Sequence, residues 1–174
     1  MLFGNRYEAA MQLIPYLEKY CKEQAVVLAV PRGGDPLGYE IAKHFNIPLE
    51  LLMTKKIGHP LDPEVAIGAV GLEDHLVDRT ADISESYINE QVKDIRKSLK
   101  ERYTRFIGDH VQVGLENKIV IATDDGIATG NTILGSIRMM RQKRPKKIVV
   151  AVPVAPVETA RRIRKFVDDF ICLH

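Results

Sequence analysis

Tryptophan is absent from this 174-residue chain, and cysteine occurs only twice. Cys21 and Cys172 lie far apart and show no metal-ligand spacing. They suit a reducing compartment better than a disulfide framework. Aromatic residues make up 6% of the chain and are scattered, so no platform for stacking bases is evident. No apolar run approaches the length of a membrane span, and no membrane partner is expected. The opening Met-Leu-Phe-Gly-Asn-Arg-Tyr-Glu is no signal peptide, so a cytoplasmic location is the expectation. Charge of one sign is also lacking. A formal net charge of +2 argues against a large nucleic-acid footprint. The basic runs Arg141 to Lys147 and Arg161 to Lys165 read as a helix end with its loop and as an exposed helix face. Both are expected to be solvated surface.

What remains is ordinary for a globular protein: 45% hydrophobic and 28% charged residues. The length fits one domain, residues 1–174, with a sizeable core. Asn5 and Glu8 form a capping-box pattern. Tyr7, Ala10, Met11, Ile14 and Leu17 then recur at helical spacing, which predicts a helix over about 6–22, with Pro15 inside it. Strands are predicted at 25–30, 47–53, 65–70, 118–123, 147–152 and 166–172. Helices are predicted at 36–45, 132–142 and 157–164. Residues 54–64 read as loop, and Leu76-Val77 as the second arm of a hairpin. Asp82 and Glu85 suggest a second capping box. Ile88, Val92, Ile95, Leu99, Tyr103 and Phe106 then mark the longest helix, expected to pack on its own sheet. No internal repeat or linker interrupts this order. Alternating strands and helices predict an α/β fold: a three-layer parallel sheet with helices on both faces, plus a small antiparallel hairpin.

The most informative stretch is Ile119-Val-Ile-Ala-Thr-Asp-Asp-Gly-Ile-Ala-Thr-Gly-Asn-Thr132. An apolar run reads as a buried parallel strand, and the turn after it lies at the carboxyl end, where open α/β sheets bind ligands. Gly126, Ala128 and Gly130 permit close backbone approach, and Thr129 and Thr132 offer hydroxyls. The following helix presents unpaired N–H groups, which favours a phosphate. Asp124 and Asp125, when ionised, accept only. They fit sugar hydroxyls, with a divalent cation nearby, so the inferred ligand is a sugar phosphate. The competing structural interpretation is a strand followed by an acidic helix cap. A Walker A loop does not fit, because Asn131 stands where that motif needs Lys, and no G-x-G-x-x-G run appears.

These residues resemble the phosphoribosyl pyrophosphate signature of type I phosphoribosyltransferases. The resemblance implies that Asp124 and Asp125 hold the 2- and 3-hydroxyls of the ribose. It implies that Gly126, Ile127, Ala128, Thr129, Gly130, Asn131 and Thr132 cradle the 5-phosphate. Pro31-Arg-Gly-Gly34 also lies between a strand and a helix. Its glycines allow close approach, and Arg32 can bind two phosphate oxygens. The resemblance gives Arg32, Gly33 and Gly34 the pyrophosphate. The third element, Thr54-Lys-Lys-Ile-Gly-His-Pro60 with Glu64-Val-Ala-Ile-Gly-Ala-Val70, resembles the Lys-Ile-Gly…Glu-x-Ala-Ile-Gly-Ala pattern of a poorly characterised branch of that family. Either Lys55 or Lys56 could neutralise the leaving group, and Lys56 matches the Lys of that pattern. Glu64 would cap or brace the loop. His59 is a weaker acid–base candidate, since a lone loop histidine is more often simply exposed.

The implied reaction displaces pyrophosphate from C1 of the ribose, with oxocarbenium character in the transition state. Arg32, Lys56, Asp124 and Asp125 would be its catalytic residues, and Mg2+ its cofactor. No metal ligand set is assigned directly, Asp124 and Asp125 being the candidates. The implied partner is phosphoribosyl pyrophosphate or a nucleotide monophosphate. A homodimer is expected through the helix at 84–107 or the hairpin. Residues 71–86, with Asp74, His75, Asp78 and Arg79, are polar enough for a lid. The resemblance covers about Leu2 to Leu173. Relatives in this branch commonly continue past Asp168-Asp-Phe-Ile-Cys-Leu-His174, and only residues 1–24 and 72–110 are left to build an acceptor-recognising hood. The acceptor, a nucleobase or another nucleophile, is unreadable. A regulatory protein that binds the same ligand without turnover is the alternative. A third use of the pocket takes water or phosphate as acceptor.

Overall fold

The computed structural model describes residues 3–78, 82–108 and 110–174. Two compact units emerge. The first holds the chain to Leu52, Gln112–Gly130 and Met140–His174; the second holds Met53–Val111 and Asn131–Met139.

The first unit contains a five-stranded parallel sheet. Its strands are β1 (Ala25–Ala29), β2 (Leu49–Leu51), β6 (Ile119–Thr123), β7 (Lys147–Val152) and β8 (Asp169–Cys172), in the order β2-β1-β6-β7-β8. All five residues of β1 and of β6 are buried, as the unbroken apolar runs require of a sheet covered on both faces. Helices α1 (Arg6–Leu17) and α2 (Asp35–Phe45) cover one face. There Leu13, Leu17, Leu37 and Ile41 pack with Val27, Ile121 and Val149. Side chains on the opposite face, Val26, Val120, Ile148 and Val150, are equally buried. The helices of this unit also include α5 (Val157–Arg164), whose Ile163 is fully buried.

Local signals account for most element starts. Asn5 accepts the Glu8 N–H and caps α1, while Glu8 reaches back to Gly4 N–H rather than to Asn5. Helix α1 ends at Leu17, five residues short of the expected end. Pro15 lies in its last turn and removes one backbone donor there. Tyr7 is exposed, and Leu13 takes its place in the buried stripe. Pro36 enters the first turn of α2, where its missing N–H costs nothing. Strand β2 is three residues long against an expected seven, and Glu50 within it is buried, accepting the Val113 N–H at 2.8 Å.

In the second unit three antiparallel strands, β3 (Lys55–Gly58), β4 (Ala66–Val70) and β5 (His75–Val77), pair in sequence order. The sequence predicted loop over 54–64. Lys55 and Lys56 disguised β3, because only Ile57 of its four residues is buried. Pairing with β4, a tertiary interaction, makes it a strand. Helix α3 (Glu85–Ile107) is capped by Ser84, whose hydroxyl accepts from Tyr87 N–H, and not by Asp82. Val92, Ile95, Leu99 and Tyr103 are its buried stripe, and Phe106 is exposed. This helix packs on β3 and β4 of its own unit. Residues 75–77 are built into the small sheet, and Arg79 of the expected lid lies outside the described residues. Helix α4 (Asn131–Gln142) begins in this unit, with Ile133 and Ile137 buried.

Among the described residues no helix is long and apolar enough to cross a membrane.

Candidate active site

Strands β1 and β6 are parallel neighbours in register, Ala29 opposite Thr123. From β1 the chain moves outward to β2, and from β6 it moves the other way to β7 and β8. Their carboxyl ends therefore flank a topological switch point, where an open α/β sheet leaves a crevice. The two turns that emerge there are residues 30–34 and 124–130, the two stretches singled out from the sequence.

The turns touch. Val30 N–H donates to Thr123 O at 2.9 Å, and Gly34 N–H closes back on Val30 O at 2.8 Å. A Cβ on Gly33 would lie 2.3 Å from Asp125 Oδ1, and one on Gly34 would lie 2.5 Å from Thr123 O. Gly34 is thus required by backbone contact, while Gly33 lets the Asp125 side chain lie close over the first turn. The Pro31–Arg32 peptide is cis. Arg32 is exposed and stands beside these glycines in the chain.

Asp124 and Asp125 follow a fully buried Thr123, whose hydroxyl donates to Ala151 O at 2.8 Å and anchors the end of β6 to β7. The Asp125 carboxylate receives Arg6 from the first turn of α1, through Nε at 3.2 Å and Nη2 at 2.6 Å. Arg6 does not stand out in the sequence; an Arg at the start of a helix carries no signal of a partner 119 positions away. Asp124 accepts the Asp125 N–H at 2.8 Å. Burial first, then the like charges of Asp125 and Asp35, push its carboxyl up to about 6, against the opposing pull of that N–H.

The loop from Gly126 to Gly130 is braced from behind. Ile127 is buried and its N–H donates to Val154 O at 3.0 Å, so this residue offers a ligand neither side chain nor N–H. Thr159 Oγ1 donates to Ala128 O at 2.8 Å, and Arg162 donates to Thr129 O. Gly130 has φ +73°, a conformation that glycine adopts without penalty, and caps α4 without a side chain. Asn131 and Thr132 form the first turn of α4, both exposed.

The remaining candidates belong to the second unit. Lys56 is exposed on β3 and bridges Glu64 Oε2 at 3.1 Å, while also donating to Glu64 O at 3.2 Å. Glu64 thus braces the β3–β4 connection. His59 accepts the Leu61 N–H through Nδ1 at 3.1 Å, which gives it a turn-forming role. Thr54 and Ser136 share a hydrogen bond of 2.6 Å, and Ser136 donates to Thr132 O at 2.9 Å, tying the start of α4 to the entry of β3.

This doubly anchored crevice, with paired acids on one turn and glycines on the other, stands where open α/β sheets bind ligands. The chain belongs to the phosphoribosyl transferase domain family, which matches residues 7–173. It is 34% identical over 177 residues, covering 99% of this chain, to the Mycobacterium tuberculosis protein named "Putative phosphoribosyl transferase Rv0571c". The chain spans about 40% of the length of that relative. The crystal structure of TT1426 from Thermus thermophilus superposes with a TM-score of 0.87 at 31% identity, over 99% of this chain and 84% of that one. The crystal structure of APRTase from Giardia lamblia, complexed with 9-deazaadenine, shares the fold at a TM-score of 0.58 and 11% identity, over 97% of this chain and 77% of that one.

Proposed function

We propose that this chain is a phosphoribosyltransferase that displaces pyrophosphate from C1 of phosphoribosyl pyrophosphate with an acceptor, and that residues 1–174 act as one such domain. The observation that carries this is the direct contact of the two switch-point turns, with Gly33 facing the Asp125 carboxylate. A ligand with a ribose between two phosphate groups is the kind that needs both turns at once.

Asp124 and Asp125 accept hydrogen bonds from the ribose hydroxyls in this reading. Within residues 126–132 the 5-phosphate is taken by the backbone of the loop and the first turn of α4, with Ile127 bracing the loop from behind. Arg32 and the N–H groups around Gly33 and Gly34 take the pyrophosphate. Lys56 adds positive charge for the departing group; its assignment rests on the resemblance of its motif. These residues position the sugar and stabilise charge, and little acid–base chemistry is asked of them.

Any Mg2+ here would have few protein ligands. Among the described residues no group of three His, Cys, Asp or Glu side chains is gathered for a metal. Asp124 and Asp125 are adjacent carboxylates; burial first, and then the neighbouring acids, raise the Asp124 pKa, and a bound cation would offset both. Two carboxylates fit a Mg2+ that draws its other ligands from substrate phosphates and water. Bound with the substrate, Mg2+ would supply charge neutralisation and a template for the pyrophosphate.

The test is pyrophosphate release from phosphoribosyl pyrophosphate with Mg2+, against a panel of free nucleobases, a no-acceptor blank and an Asp125→Asn control. Release that depends on one acceptor and vanishes in the variant supports the transferase and names the acceptor class. Release in the blank favours water as acceptor. Saturable ligand binding without release under any condition favours the regulatory alternative.

A further inference from the structure

The basic helix α5 looks like solvated surface in the sequence, yet two of its side chains reach the loop at 126–130. Thr159 Oγ1 donates to Ala128 O at 2.8 Å. One turn further along, Arg162 Nη2 donates to Thr129 O. The same helix blocks any side chain at the next position: a Cβ on Gly130 would lie 2.8 Å from Thr159 Cγ2 and 3.2 Å from Ile163 Cδ1. Two successive carbonyls are therefore turned toward α5.

In a trans peptide the C=O and the following N–H point in opposite directions. The carbonyl of Ala128 shares its plane with the N–H of Thr129, and that of Thr129 with the N–H of Gly130. Both peptides are trans. Drawing the two oxygens toward α5 thus aims the two N–H groups away from it, at the open side of the loop. Ile127 is fixed separately, by its N–H donating to Val154 O. Adjacent N–H groups aimed to one side of a turn form an anion-binding concavity.

We propose that Thr159 and Arg162 are positioning residues for phosphate recognition: they hold the carbonyls of Ala128 and Thr129 so that the N–H groups of Thr129 and Gly130 face the 5-phosphate of the sugar. This rests on the sugar-phosphate reading of the site. Neither side chain touches the ligand itself. The two α5 contacts fix the direction of the donors, and Gly130 permits the loop to lie against the helix.

The experiment uses the full chain with ribose 5-phosphate and inorganic pyrophosphate as probes, in calorimetry and in amide NMR titrations. Ribose 5-phosphate should move the Thr129 and Gly130 amide signals of the wild type downfield. Thr159→Val combined with Arg162→Gln should weaken ribose 5-phosphate binding roughly tenfold or more, two hydrogen-bond contributions together. Pyrophosphate affinity should stay within about twofold, because that group is assigned to the other turn. Thr159→Ser keeps the hydroxyl and should restore wild-type affinity in the single-site series. Equal loss of both probes, or unchanged ribose 5-phosphate binding in a folded double variant, would overturn the proposal. A wild type that binds neither ribose 5-phosphate nor phosphoribosyl pyrophosphate would overturn the sugar-phosphate reading itself, and this assignment with it.

Discussion

The Arg6 guanidinium grips Oδ2 of Asp125, and the same carboxylate lies over Gly33, where a Cβ would come within 2.3 Å of Oδ1 and 2.7 Å of Oδ2. Three chain segments thus converge on one carboxylate: the start of α1, the turn after β1 and the turn after β6. The pair is partly solvated, with side-chain exposures of 55% for Arg6 and 38% for Asp125, so its contribution to folding is small. Its consequence is orientational.

Arg6→Gln should leave the melting temperature nearly unchanged and raise KM for phosphoribosyl pyrophosphate by up to about fivefold, the range of an exposed ion pair. Raising salt should weaken the wild type toward the variant. Steady-state kinetics at two ionic strengths decides this. An unaltered KM would remove Arg6 from the site.

Loss of the groups assigned to the reacting sugar should be far more severe. Asp125→Asn and Arg32→Ala are each expected to cut turnover by on the order of 10²-fold, the scale for one electrostatic stabiliser. Lys56→Ala should follow them if it acts on the leaving group. Glu64→Gln, which removes only its exposed partner, should have little effect. Unchanged rates in the Asp125 and Arg32 variants would refute the assignment.

The two glycines of the first turn should fail in different ways. Alanine at Gly34 would place a Cβ against backbone, 2.5 Å from Thr123 O and 2.9 Å from Val30 O, where nothing yields cheaply. It should cost about 1–3 kcal/mol of stability, measurable by denaturant titration. Alanine at Gly33 meets the Asp125 side chain, which can swing aside. That variant should stay folded and lose substrate affinity. A Gly33→Ala protein with normal KM would break the link between the turns and the ligand.

Asp124 gives a pH prediction with a definite sign. Its carboxyl is raised from 3.8 to about 6 in the folded protein, so the native state binds more protons than the unfolded state between these values. Stability from this group is therefore full below about pH 4 and falls as pH rises toward 6. Asp124→Asn should melt a few degrees higher than the wild type at about pH 7.5, and no higher at about pH 3.5. Function runs the other way, because only the ionised acid accepts from a hydroxyl at both oxygens. Substrate affinity of the wild type should drop as pH falls through about 6. Calorimetric melts at the two pH values, with binding measured alongside, check both halves. A variant that gains nothing at the higher pH would contradict the burial of this charge.

Much of the architecture was legible because it is written in local patterns. Unbroken apolar runs marked β1, β6 and β7, and apolar residues every three or four positions marked α3. The paired acids and small residues after β6 stood out because strand, carboxylates and glycines are consecutive in the chain. Strand β3 was hidden, since a polar segment becomes a strand only when a neighbour completes its hydrogen bonds. The packing of α3 on the small sheet was hidden too, because an apolar stripe does not name its partner.

The sequence by itself determined the order of strands and helices apart from β3, the small-residue turn after β6 and the acids beside it. These depend on residues within a few positions of one another. Only the tertiary structure decided that the turns after β1 and β6 meet, that Arg6 reaches Asp125, and that Thr159 and Arg162 stand behind the loop at 128–130. Each of these joins residues about 30 or more positions apart. Such contacts follow from strand order and from loops closing onto one another, which spacing along the chain does not encode.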